Sequence, residues 1–510
     1  MERKFWLNKL REPAVGRALF FCLTWLWAAW WMGDVFHIAR EYSFFTADAT
    51  LMHGVWQQAF GSLWIVGRAL LTLYCWPLVG GLLVAAMLTA STWLMGYCLR
   101  LRPDSWWSLL EYIPAIGWMT WVAWQGFNLY FQGEPGSALG VLFLGVLVLA
   151  VDAFIIWTFK RKTRSKGQQS RWLLLPLLLV LLPILVSHFR HPYVRPVTRM
   201  EVQLLHEDWE GMAATARDNA KLSYRPLAAY YAIALVHTGH LADQLFDIRL
   251  DYDSLYVSSW GGNPDIGTNY YQTDCNYHAG LFRAAAHKAM EALTMDGPTL
   301  KSLKHLTRLA LLDHDWALAR KYLHIIAQHP FEGEFVERYT PMLGNAAAVE
   351  ADPVFARLRR TEPLHDSFES FYQQPTFLGY AAVMTEGRSP EALTQSIMAN
   401  LYSKRMPDFL MRCEVLVGTT PPRSIAEGLV TQVPKNQAIL QVFPQLQMNV
   451  QVYQGFLRTV QPYMKERARG GRELFDQYRG YYPYYYFFGN LKATRKSDKK
   501  EHASSNVGVN

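Results

Sequence analysis

The sequence predicts an all-α protein in two parts, an N-terminal five-helix transmembrane bundle and then an α-solenoid of stacked helix pairs. Three observations lead there. Five long apolar stretches precede residue 190, and the roughly 320 residues after it are polar and patterned at helical spacing. Lysine and arginine also alternate from one connection to the next through the apolar half.

A membrane-crossing helix needs ~20 mostly apolar residues, because the hydrocarbon core is ~30 Å thick and each residue rises ~1.5 Å. Stretches at 15–34, 70–99, 106–126, 138–159 and 172–189 meet that demand. The first lacks a small-residue cleavage site and is followed by further spans, so it is expected to be retained. Residues 54–69 carry Trp56, Phe60 and Trp64 but also Gln57, Gln58 and Arg68, which suits a helix lying in the membrane interface. Trp6 through Trp124 account for fourteen of the 19 tryptophans. Indole rings favour the membrane–water boundary, where an apolar body and a polar N–H are both satisfied.

Orientation follows from the basic residues. The N-terminus holds Arg3, Lys4, Lys9, Arg11 and Arg17; the second-to-third connection holds Arg100 and Arg102; the fourth-to-fifth holds Lys160, Arg161, Lys162, Arg164, Lys166 and Arg171. The other connections are poor in them. The positive-inside rule then puts the N-terminus inside and the C-terminal domain outside after five crossings. For a bacterial inner membrane, outside is the periplasm.

After residue 198 short amphipathic helices alternate with tight turns. Leu303, Leu306 and Ala310 precede Asp313-His314-Asp315-Trp316, then Ala319, Leu323 and Ile326; Leu227, Tyr231 and Leu235 precede Gly239-His240-Leu241; Gly280-Leu281-Phe282 introduces Ala285, Ala289 and Ala292. His206-Glu207-Asp208-Trp209 is a further copy of the same turn. This grammar resembles the tetratricopeptide repeat over residues 198–329, which implies stacked helix pairs. The stretch around Trp260-Gly261-Gly262 breaks any strict period. Helical patterning continues over 330–490 with an aromatic end, and 491–510 reads as a disordered basic tail. The plan, the Tyr277-His278-Ala279-Gly280 turn and the aromatic finish also resemble uncharacterised multi-pass membrane proteins of the Bacteroidota type. That resemblance implies location and architecture, and no activity.

The net charge of +8 sits largely in loops between apolar stretches and in the tail, a topological pattern rather than a nucleic-acid footprint. Five cysteines exclude a disulfide framework and leave the redox state of Cys275 and Cys413 open. No Gly-rich phosphate loop, Gly-x-Ser-x-Gly elbow or His-Glu-x-x-His pair is present. Asp34, His37 and Glu41 lie just after the first span. Membrane glycosyltransferases acting on lipid-linked sugars are similar in placing an acidic residue there, and that likeness implies a catalytic role for Asp34 and Glu41, with His37 a further candidate beside them. Cys275 and His278 supply two metal ligands where zinc needs three or four, so no metal or other cofactor is expected. Glu111 and Asp152 are ionisable residues inside apolar spans, candidates for a cation site or for contacts with basic loops. Tyr231, Trp260, Tyr277, Trp316, Tyr484 and Tyr485 are the candidates for partner contact. The run Tyr481 to Phe488 reads either as an exposed stacking platform or as a terminal helix packed beneath the last repeat.

The expectation is a non-enzymatic membrane scaffold, in contact with lipid, whose periplasmic repeats bind a protein partner in an envelope assembly. The alternatives are an enzyme or accessory subunit acting on lipid-linked glycans, and a small transporter subunit built on Glu111 and Asp152.

Overall fold

The computed structural model describes residues 13–101, 105–129, 135–159, 174–250, 268–362 and 389–489. Trp260, the basic run at 160–171 and the tail 491–510 lie outside the described residues. Every regular element among the described residues is helical. The chain forms two compact units, Met1–Val202 with Leu293–Gly344, and Gln203–Ala292 with Asn345–Asn510. The stretch 198–329 therefore contributes residues to both units.

In the first unit two helices, Pro77–Cys98 and Ser137–Thr158, are long and apolar enough to cross a membrane. Two bent pairs raise the number to four if each counts as one span: Val15–Trp31 with Gly33–Glu41, bent by 54°, and Leu177–Arg190 with Val194–Leu205, bent by 84°. The first bend follows a π-helical turn at Trp27–Trp31, a common cause of a helix kink. The stretch expected as a third span is a 3-10 turn, Trp106–Tyr112, followed by the 13-residue helix Ile113–Gln125, which Gly126 ends at φ +56.

Two expected boundaries are corrected. Residues 54–69 are not one interfacial helix. They divide into Ala49–Trp56 and Gly61–Leu71, because Phe60 adopts a left-handed conformation at φ 63 and a side chain at Gly61 would meet the Val55 carbonyl at 2.3 Å. The second long helix starts at Pro77, not near 70. Trp76, extended at φ −117 and ψ 102, is in the conformation a following proline imposes.

The helix-pair turns follow one recipe. Glu207 and His314 are left-handed, both at φ 58; Asp208 and Asp315 then cap the next helix, accepting from Gly211 N and Leu318 N at 3.0 Å each; Trp209 and Trp316 open the helices Trp209–Asp218 and Trp316–Ile326. An N-cap carboxylate satisfies an amide that the helix itself leaves without a partner.

In the second unit the helix Arg225–Thr238 is buried along nearly its whole length, with Pro226 in its first turn and Gly239 closing it at φ 78. The helices Pro390–Tyr402 and Arg423–Gln432 receive the terminal aromatic helix Tyr482–Phe488. Tyr482 N donates to Glu427 at 2.8 Å, Tyr482 O–H to the Leu401 carbonyl at 3.2 Å, and Tyr485 O–H to the Tyr402 carbonyl at 2.7 Å. Lys404 Nζ then satisfies the Tyr486 and Gly489 carbonyls at 3.1 and 2.8 Å, capping the helix from outside it.

Candidate functional site

The densest chemistry of the first unit lies where the chain leaves the helix Gly33–Glu41 and meets the helix Leu300–Leu312. Arg40 and Glu41 end the former; Lys301 and Lys304, three apart on one face, begin the latter. Two cations at a helix N-terminus oppose its dipole, and the first turn has no acidic residue of its own. Carboxylates arrive from elsewhere in the unit. Glu41 accepts from Arg40 Nη1 at 2.8 Å through Oε1 and from Lys304 Nζ at 2.8 Å through Oε2. Glu332 accepts from Arg40 Nη2 through Oε1 and from Lys304 Nζ at 2.9 Å through Oε2.

Two acids and two bases thus form a closed ring in which each carboxylate serves both cations with separate oxygens. Three of its members have side chains no more than 5% exposed, and Lys304 is at 11%. Glu332 precedes the helix Gly333–Tyr339 in the N-cap position, yet its side chain makes no capping bond. A second layer lies alongside: Lys301 Nζ donates to the Tyr42 hydroxyl oxygen at 2.9 Å, Tyr42 O–H donates to Glu201 Oε2 at 3.2 Å, and Glu201 lies 3.7 Å from Lys301. Leu300 N donates to the Ser43 carbonyl at 3.0 Å and fixes the backbones together.

The electrostatics follow from this closure. Burial alone would raise the Glu41 carboxyl, but Lys304 and Arg40 outweigh it and hold it well below the usual carboxylate range. His329 is pushed down to about 4 by burial and the nearby Arg40. The ring is balanced in charge, and all four oxygens of its two carboxylates accept from its cations. Such an arrangement fixes geometry; a general base needs a lone pair open to substrate.

Of the three catalytic candidates, Glu41 is a ring member. His37 is bonded through Nδ1 to the Tyr74 carbonyl at 2.8 Å. Asp34 lies outside the ring, with Arg199, His37 and Arg195 as the charges acting on it. Glu111 lies 3.7 Å from Arg17, and Asp152 is exposed on the helix Ser137–Phe159.

Cys275 and His278 are both buried on the helix Thr268–His278 in the second unit. His278 Nδ1 is bonded to His237 Nε2 at 2.8 Å, and Trp209 stacks on His237 with centroids 3.8 Å apart. Burial, with Arg357 nearby, lowers His237 to about 3. No group of three or more His, Cys, Asp or Glu able to hold a metal occurs among the described residues. Cys275 and Cys413 form no disulfide among the described residues.

The partner-contact candidates Tyr231, Tyr277 and Tyr485 are core residues, 0%, 2% and 5% exposed. Their rings fill space between helices and offer no surface. Trp316 is half-buried against His314, and Tyr484 half-buried with its hydroxyl on the Gly471 carbonyl. The aromatic finish is thus a packed helix and not an exposed platform. Sequence reasoning missed Lys301, Lys304, Glu201 and Glu332, as well as the pairing of His237 with His278. The one local signal was the pair of lysines opening a helix that has no acid in its first turn.

A family model described as a family of unknown function (DUF6057) matches residues 143–489, more than half of the chain. The chain belongs to that family. The DUF6057 match takes in Lys304, Glu332, His237 and His278, and begins after Arg40 and Glu41. No curated protein and no solved structure matches the chain.

Proposed function

We propose that this DUF6057 protein is a membrane-anchored, non-enzymatic scaffold whose helical second unit binds a protein partner in an envelope assembly. The observation that carries the reading is the closed ring of Arg40, Glu41, Lys304 and Glu332. Two of the acid–base groups after the first apolar helix, Arg40 and Glu41, are spent in tying the helix Gly33–Glu41 to Leu300–Leu312. An enzyme acting on lipid-linked glycans would need the same groups open to substrate.

The anchor crosses a bacterial inner membrane five times, the third crossing being Trp106–Tyr112 and Ile113–Gln125 in succession. The N-terminus is cytoplasmic and the second unit periplasmic, as the alternation of basic residues requires. The tetratricopeptide-like turns at Asp208 and Asp315 support a helical-repeat ancestry for the domain. The partner surface is the outer face of the helix Gln447–Val460, where Met448 and Val452 are 78% and 62% exposed. Residues 436–457 contain no charged side chain, and depletion of charge marks the core of protein interfaces.

Photo-crosslinkers placed at Met448 and Val452 in native membranes test this. The expected result is a discrete protein adduct at both positions, lost on Met448→Glu with Val452→Glu; absence of any protein adduct would contradict the reading. A C-terminal reporter active only outside the cytoplasm checks the orientation.

A further inference from the structure

Between Ser137 and Thr158 the helix Ser137–Phe159 is apolar except for Asp152, and only 17% of its membrane-length stretch is buried. Ala138, Leu139, Leu142 and Ala153 form its covered face. The other face is open: Val148, Val151 and Ile155 are 51%, 50% and 47% exposed, and Asp152 is exposed among them. No hydrogen bond or ion pair joins Asp152 to another described residue. Arg17, a cation within the apolar helices, is paired instead with Glu111 at 3.7 Å.

The depth of Asp152 makes this costly. At ~1.5 Å per residue it lies ~10 Å from the Phe159 end of the helix and ~22 Å from the Ser137 end, inside a ~30 Å hydrocarbon layer. Lys and Arg reach the membrane surface along long apolar stems, but aspartate has a single methylene and cannot do so. A carboxylate so placed calls for a partner. One turn-pair earlier on the same face, Gly145 has open space, with nothing within 4 Å of where its Cβ would be. A small residue lets a second backbone approach closely, and a polar residue nearby holds it.

We propose that the Gly145–Asp152 face is the docking site for a transmembrane helix of another protein, one that carries a Lys or Arg at the depth of Asp152. The inference rests on the reading of this helix as a membrane crossing. Charge complementarity selects the occupant: a second copy packed symmetrically on this face would bring Asp152 against Asp152, and lipid offers no counter-charge in the hydrocarbon layer.

The test is a photo-crosslinker at Val148 in the full-length chain in native membranes, with adducts sequenced by mass spectrometry. The expected product is a peptide from an apolar helix containing Lys or Arg, reduced at least tenfold by Asp152→Asn and by Asp152→Leu, both of which favour insertion. A Lys or Arg in that partner helix replaced by Leu should abolish the adduct equally. Adducts to lipid alone would overturn the docking site while leaving the membrane anchor standing. An adduct to a second copy of this chain, or one indifferent to both Asp152 variants, would also overturn it. Absence of lipid and protein adducts together, with Val148→Cys open to a water-soluble maleimide, would instead overturn the crossing itself.

Discussion

In the first unit the helix Gly33–Glu41 is joined to Leu300–Leu312, Glu41 and Lys304 being 263 positions apart, by two carboxylates and two cations removed from water. In the second unit Tyr482 is joined to Leu401, 81 residues earlier, by aromatic packing and hydroxyl-to-carbonyl bonds. Both close a distant segment onto a helix, but they fail differently. A neutral hydroxyl that loses its partner costs little, whereas a buried charge that loses its partner is left uncompensated. The ion ring is therefore the more brittle closure, and the aromatic helix the more forgiving one.

The sharpest way to break the comparison is to remove one ring member. Glu332→Gln or Lys304→Met should destabilise the docking of Leu300–Leu312 by about 3–5 kcal/mol, read as faster hydrogen exchange across 300–312 in nanodiscs. Replacing all four ring residues with apolar side chains of similar volume should recover most of that loss, because no buried charge is then left alone. A quadruple variant no better than the singles would show that the ring contributes more than closure. In the second unit, Tyr482→Ala should cost about 3–5 kcal/mol through the cavity it leaves, and Tyr482→Phe only about 1 kcal/mol, measured by exchange across 390–402.

A pH series sharpens the comparison further. His237 is held at about 3 against an ordinary 6.5, so its neutral form is favoured in the folded unit. Its contribution is full above pH 6.5 and is lost as pH falls from there toward 3. Exchange in the second unit should accelerate over that range, and His237→Gln should flatten the dependence. The Glu41 carboxyl, held low, keeps its contribution until the pH falls below the ordinary carboxylate range, so the first unit should loosen later in the titration. The smallest effect is expected at the exposed pair of Lys221 and Asp476, where Lys221→Ala should leave thermal unfolding unchanged within error.

What could be read from the sequence divides along the same line. The helix-pair turns were legible because their signals are local: Asp315 caps a helix three residues away, and Gly239 ends the helix immediately before it. Long apolar stretches were legible for the same reason, although the left-handed Phe60 and the pre-proline Trp76 moved their boundaries. The ion ring was not, since Arg40 and Glu332 are 292 residues apart and no spacing relates them. Asp34, His37 and Glu41 stand out in the sequence as an acid–base cluster, but their surroundings decide between base and tether. The aromatic finish was visible as composition, and its burial depends on Tyr402, Lys404 and Glu427, which nothing in the run itself indicates.

The central claim is that Glu41 and Lys304 act on each other as a lock. A double-mutant cycle with Glu41→Gln and Lys304→Met, followed by hydrogen exchange at the Leu300 amide that bonds Ser43, measures that directly. A coupling of about 2 kcal/mol is expected for a desolvated pair in contact. Additive effects, with no coupling between the two positions, would contradict the account.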